Sequence, residues 1–201
     1  LVRNFGIAPS RIAAVTFTNK AAREMRQRLE RLMGSHADGL TCGTFHALCV
    51  AILRRDGQPI GVDRDFTIYD NEDQMDLLKR SMEEVNIDPR RFPLRAVQSA
   101  ISRAKSSLLD PTGFAATVSS YYDEVVLRVY ERYQALLSQS RAADFDDLLL
   151  STVQLFQRVP EVLQRYQNRY LHLLIDEFQD TNVVQYTLAT LLAGQYRNIC
   201  V

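Results

Sequence analysis

No apolar run in the 201-residue chain approaches the roughly 18 residues of a membrane span, and no signal-peptide pattern opens it. Cysteine is scarce. Cys42, Cys49 and Cys200 have neither metal-ligand spacing nor an obvious pairing, which argues against a zinc cluster or a disulfide framework and suits a reducing, cytoplasmic setting. Lysine is scarcer than arginine would suggest: only Lys20, Lys79 and Lys105 are present, and none follows a glycine. A glycine-rich phosphate loop ending in Gly-Lys-Ser/Thr is therefore absent from these residues. Internal repeats and low-complexity segments are absent too. Net charge is zero, so the sum carries no nucleic-acid signal, although its distribution does. Residues 1–60 hold nine Lys/Arg against four Asp/Glu, a surplus that could meet phosphates or simply solvate helix faces.

What is present is ordinary globular material, 46% hydrophobic and 24% charged, enough for one large domain or two small ones. Arg11 to Phe17 reads as a short buried strand, followed by a helix capped by Thr18 or Asn19 and running to about Met33, with Ala21, Ala22, Met25, Leu29 and Leu32 on one face. Leu40–Thr44 is a second strand, and a helix follows over about 45–55. Phe66–Tyr69 is a third extended piece. Thereafter helical periodicity dominates. The spacing predicts helices over about 70–85, 94–106, 121–138, 145–158 and 160–166, with a loop at Asp110-Pro111 and Gly113. Alternation returns at the end: a strand over 171–176, a helix over about 182–193, a strand from Asn198. Strand–helix–strand at both ends around a helical block predicts one α/β domain carrying a helical insertion. The first residue is Leu, and Ile199–Val201 reads as a strand cut short, so the expectation is part of a longer protein.

The most informative stretch is Leu-Leu-Ile-Asp-Glu-Phe-Gln-Asp-Thr, residues 173–181. An apolar strand ends abruptly in Asp176 and Glu177, and Asp180 is expected to open a helix. Ligands of open α/β sheets sit outside the carboxyl ends of the strands. An Asp-Glu pair delivered there suits nucleotide hydrolysis, one carboxylate holding Mg²⁺ through its water shell and the other orienting the attacking water.

Two further strand ends repeat the design. Thr16-Phe17-Thr18-Asn19-Lys20 places hydroxyls, an amide and free backbone N–H groups at a helix start, where a phosphate oxygen can bind. Phe17 offers a face on which a nucleobase can stack. The same stretch is also what an ordinary capped helix with a core Phe requires. Gly43-Thr44-Phe45-His46 brings hydrogen-bonding groups and a glycine that permits close approach. Asp144, Asp146 and Asp147 crowd the first turn of another helix, where the helix dipole favours acids and a metal role is a weaker reading.

Taken together, Thr-Phe-Thr-Asn-Lys-Ala-Ala-x-Glu-Met (16–25), Gly-Thr-Phe-His (43–46), Asp-Phe-Asp-Asp-Leu-Leu (144–149) and Ile-Asp-Glu-Phe-Gln-Asp-Thr (175–181) strongly resemble, in order and spacing, the UvrD/PcrA/Rep group of superfamily 1 DNA helicases. The resemblance covers essentially the whole chain. It implies an α/β fold: an incomplete RecA-like P-loop NTPase domain with a parallel sheet, formed by 1–44 and 169–201, and a large all-helical insertion over 45–168. It implies ATP and Mg²⁺ as cofactors of the parent protein, and single-stranded DNA and duplex junctions as its partners, with 3′-to-5′ translocation coupled to hydrolysis. Asp176 would coordinate Mg²⁺, Glu177 would activate water, and Gln179 and Asp180 would link the nucleotide site to its neighbours. Thr16, Phe17, Thr18, Asn19, Lys20, Gly43, Thr44, Phe45 and His46 would contact DNA. The family's phosphate loop would lie before residue 1, and its second RecA-like domain beyond residue 201. These residues alone are thus expected to hydrolyse nothing. Two alternatives remain: a single-stranded DNA-binding module without a motor, and the motor portion of a helicase-nuclease subunit.

Overall fold

Ile12–Thr16 (β1) is buried at every position, because it runs between two parallel neighbours and both of its faces are covered. In this computed structural model, which describes residues 1–201 apart from the side chains of Ser35 and His36, the chain runs as follows. A short helix, α1 (Val2–Phe5), precedes β1; then come α2 (Asn19–Met33), β2 (Thr41–Thr44), α3 (Phe45–Asp56) and β3 (Thr67–Ile68). The helices α4 (Asn71–Glu84), α5 (Leu94–Ser106), α6 (Pro111–Ala115) and α7 (Tyr121–Gln139) follow. The remainder is β4 (Ala142–Ala143), α8 (Phe145–Arg158), α9 (Pro160–Arg169), β5 (His172–Ile175), α10 (Val183–Ala193) and β6 (Ile199–Cys200).

The main sheet has four strands in the order β2-β1-β5-β6, all parallel. Thr16 pairs with Thr44 and Val15 with Ile175, so the carboxyl ends of β2, β1 and β5 finish level. Local side-chain chemistry fixes where the helices start. Thr18 caps α2 by accepting from Ala21 N at 3.1 Å, and Thr44 caps α3 by accepting from Ala47 N at 3.1 Å. Asp70 with Asp73, Asp144 with Asp147, and Asn182 with Gln185 form reciprocal capping boxes on α4, α8 and α10.

Three expectations change. Asp110 caps a short helix, α6, where a loop was predicted; Pro111 at its first position supplies the helical φ. The insertion is not all-helical, because β3 and β4 pair in parallel with Thr67 opposite Ala142 and Ile68 opposite Ala143. Asp180 does not open a helix. It closes a 3-10 turn (Phe178–Asp180), and Asn182 caps α10 instead.

Two apolar cores form. One joins β1 and β5 to α3, α8, α9 and α10 through residues such as Phe45, Leu148, Phe156, Tyr166 and Leu188. The other joins α4, α5 and α7 through Met82, Val97, Ile101, Val129 and Tyr130. The stretch over 45–168 is therefore not one packing unit: α3, α8 and α9 cover the sheet. Helix α2 buries no residue fully despite its apolar stripe.

Where the two cores meet lies a buried ion cluster. Lys105 of α5 is 1% exposed and reaches Asp144 at 2.6 Å and Asp147 at 2.7 Å. The Tyr133 hydroxyl donates to Asp144 at 2.9 Å, and Gln134 Nε2 donates to Asp147 at 3.0 Å. Burial disfavours the Lys105 ammonium, but Asp147 and Asp144 outweigh that and hold its pKa above the ordinary lysine value. Burial and the adjacent Asp144 push Asp147 up to about 6 against the pull of Lys105.

Candidate functional site

Because the strands are parallel and finish level, the three motifs at their ends come to one edge of the sheet. The β5 ladder continues one residue past its last paired position, with Asp176 N donating to Val15 O at 3.0 Å. This fixes the Asp176 backbone beside the end of β1, while its side chain faces solvent. The chain then turns sharply. Glu177 adopts a left-handed backbone, φ 53°, which an L residue other than glycine enters at a cost of about 1–2 kcal/mol. Asp180 N closes the turn on Glu177 O at 2.9 Å. The Gln179 amide donates to the Glu177 carboxylate, so two exposed side chains of this turn are already joined.

At the next strand ends the same logic sorts inward from outward residues. Thr16 is buried, and Thr44, also buried, spends its hydroxyl on the α3 cap. Phe45 is 1% exposed and belongs to the sheet core. It is not available to a ligand. It supports Phe17 instead, the two rings lying 5.6 Å apart at 49°. Phe17 itself is half-buried, with Thr18, Asn19 and Lys20 exposed beyond it. His46 is half-buried, and burial lowers its pKa against the opposing pull of Asp146, leaving a neutral imidazole at pH 7.

One residue of this surface was not singled out from sequence. Phe145, 47% exposed, meets His46 edge to face at 5.8 Å. An exposed Phe at the first position of an acid-rich helix was the available signal. Phe17, His46 and Phe145 therefore line one surface beside the Asp176–Asp180 turn. Next to that turn, a hollow of about 360 Å³ lies between the apolar stripe of α2 and the sheet edge, lined by Met25, Leu29, Leu174, Asp176, Cys200 and Val201.

Among known proteins, residues 1–201 match the UvrD/REP helicase N-terminal domain. The chain belongs to that family. It is 47% identical over 195 residues to the ATP-dependent DNA helicase PcrA of Bacillus subtilis (strain 168), which covers 97% of this chain and 26% of that protein. It is 46% identical over 195 residues to the PcrA helicase of Staphylococcus aureus (strain Mu50), covering 97% of this chain and 27% of that protein. The chain thus spans about a quarter of the length of these relatives.

The relatives are named ATP-dependent, so the donor set of this helicase N-terminal domain can be compared with what Mg²⁺, the usual companion of ATP, requires. Mg²⁺ keeps several waters and takes only one or two carboxylates together with substrate phosphates. Asp176 fits that pattern, an exposed acid held by a strand-end backbone bond, with Glu177 next to it. Among the described residues no group of three or more His, Cys, Asp or Glu converges as a metal cage. Among the described residues no helix is long and apolar enough to cross a membrane.

Proposed function

We propose that this chain is the part of an ATP-dependent DNA helicase that grips single-stranded DNA and supplies the water-activating half of the ATPase site. The observation that carries the reading is the level finish of β1, β2 and β5, which sets Phe17, His46 and the Asp176–Glu177 turn on one edge. A change at the nucleotide can then reach the DNA surface through strands that pair directly.

In this reading the sheet with α2, α3, α8, α9 and α10 is an incomplete RecA-like domain, and α4 to α7 form the insertion. Mg²⁺, when bound with ATP, would neutralise charge on the β- and γ-phosphates. Asp176 would hold it through water. Glu177 orients the attacking water and accepts its proton; the Gln179 amide keeps that carboxylate in place and reports to the neighbouring segments with Asp180. Phe17, backed by Phe45, stacks a base, while Asn19, Lys20 and the Gly43–His46 turn meet the sugar-phosphate backbone. The hollow beside α2 receives the phosphate-holding segment of the parent polypeptide, without which two carboxylates would only repel a triphosphate. Alone, these residues bind DNA and turn over no ATP. The 3′-to-5′ direction rests on the family resemblance.

Replacing Glu177→Gln in the full-length protein should abolish steady-state hydrolysis while nucleotide binding persists. Turnover within a few-fold of wild type would rule out the assigned role.

A further inference from the structure

Helix α3 starts at the strand-end surface and is 12 residues long, so it carries the chain about 18 Å away at 1.5 Å per residue. Its last turn reaches the opposite, amino-terminal edge of the sheet. Arginines gather there from several segments: Arg11 just before β1, Arg54 and Arg55 at the end of α3, Arg64 in the loop that follows, and Arg165 and Arg169 on α9. All six are exposed. Little acid opposes them. Asp56 is taken up by Arg165 and the Tyr166 hydroxyl, which both donate to it, and Asp65 stands beside Arg64. Among the described residues Arg54, Arg64 and Arg169 make no ion pair. Aromatic faces hold two of them instead. The Arg54 guanidinium lies 5.5 Å from the centre of the Phe66 ring, and that of Arg169 lies 5.3 Å from the centre of the Tyr170 ring. Stacking fixes the plane of a guanidinium and leaves its N–H edge open to a phosphate. The chain as a whole is neutral, so this positive charge is a local feature.

A trough links these arginines to the strand ends. A hollow of about 230 Å³ opens between β2, α3 and the end of α9, from Gly43 past Ala47 and Ala51 to Arg55 and Arg169. Ala51 and Arg55 also line a hollow of about 610 Å³ shared with Arg54 and Arg64. Arg169 lines another, of about 480 Å³, shared with Arg11 and Arg165. Because β2 is an edge strand, no further strand of the sheet closes the trough. We propose that the single strand held at the Gly43–His46 turn continues down this trough, and that Arg55 and Arg169, with Arg54 beside them, take its phosphates. Tyr166 and Tyr170 in the wall are buried and offer no face for stacking, so the tract grips the backbone and reads no base. An acidic peptide would match the charge alone. Continuity with the turn that meets the sugar-phosphate backbone favours the strand. The inference rests on the single-stranded DNA reading above.

The test measures binding of thymidine oligonucleotides of about 8 and about 16 nucleotides to the full-length protein, by fluorescence anisotropy over a salt series. Each phosphate neutralised on a single strand contributes about −0.7 to the slope of log affinity against log salt. Arg55→Gln with Arg169→Gln should make the slope for the longer oligonucleotide shallower by about 1.4 and leave that of the shorter one unchanged. Ala51→Glu places a carboxylate at an exposed helical position in the trough. It should weaken the longer oligonucleotide selectively, and it keeps the test valid if the double variant misfolds by circular dichroism. Arg28→Gln with Arg31→Gln removes the same charge from α2, outside the trough, and should leave the difference between the two lengths intact. The tract is overturned if the longer oligonucleotide's slope does not change, if both lengths change equally, or if the α2 pair has the same effect. Failure of the wild-type protein to bind either oligonucleotide overturns the DNA reading as well.

Discussion

Replacing Lys105→Met is the most informative single perturbation of the fold. The side chain is buried and its ammonium lies 2.6 and 2.7 Å from two carboxylates that are themselves buried. Removing it leaves Asp144 and Asp147 facing each other without a cation at the seam between the two cores. Breaking a buried pair in this way costs about 3–5 kcal/mol, whereas replacing the whole set by apolar groups is often neutral. The pH dependence gives the sharper test. Asp147 already ionises near about 6, above the ~3.9 of an unfolded aspartate. A raised acid of this kind contributes stability below the unfolded pKa, and the contribution is lost as pH rises through about 6. Asp144 is held below the ordinary value: burial raises it, but Lys105 and the hydrogen bonds from Asp147 N and Tyr133 outweigh that. Without Lys105 both carboxyls move upward, so the loss should be largest above neutrality and shrink toward pH 5. Urea unfolding followed by circular dichroism at both ends of that range measures it. Lys105→Met with Asp147→Leu should recover part of the loss. A deficit below about 1 kcal/mol at pH 8, or one that does not change with pH, would refute the reasoning.

Phe17→Ala should lower single-stranded DNA affinity by about 1–3 kcal/mol, read by anisotropy titration; unchanged affinity would remove Phe17 from the proposed grip. Asp70→Ala removes the carboxylate that accepts from Glu72 N and Asp73 N, one half of the α4 capping box, and should destabilise the chain by about 1 kcal/mol, measured as a shift in the urea midpoint. Cys49 is fully buried, and burial pushes its thiol up to about 12. Only Cys200 of the three cysteines is exposed, so a thiol reagent at pH 8 should modify Cys200 promptly and Cys49 only on unfolding. Prompt modification of Cys49 would contradict the packing of α3.

Features governed by neighbours in sequence were legible in the sequence. Thr18, Asp70 and Asp144 start their helices where side-chain chemistry demands it, and the Asp-Glu strand end stands out because an apolar run stops there. What required folding to become visible was long-range or too short to carry a pattern. The cation of the ion cluster lies 39 residues before Asp144, so the three acids read as helix-dipole partners or, more weakly, as metal ligands, although Lys105 sits beside the buried Val97, Ile101 and Ala104 on α5. The two-residue β4 has no periodicity to detect. Phe45 was grouped with His46 because the two are adjacent, but at a helix start successive side chains diverge by about 100°. One enters the core and the other faces the site.

The pairing of β3 with β4 has a consequence for how this architecture changes over time. Residues 67–68 and 142–143 are bonded strand to strand, so the points where the helical unit leaves and rejoins the sheet layer stay about 4.8 Å apart, whatever lies between. Closing a longer or shorter excursion across so small a gap changes the free energy by only about 0.6 kcal/mol per doubling of length. The clasp thus makes the insert a replaceable module. Helices can be lengthened or exchanged beyond it, so long as a cation still meets Asp144 and Asp147, while the level strand ends and their chemistry stay where they are.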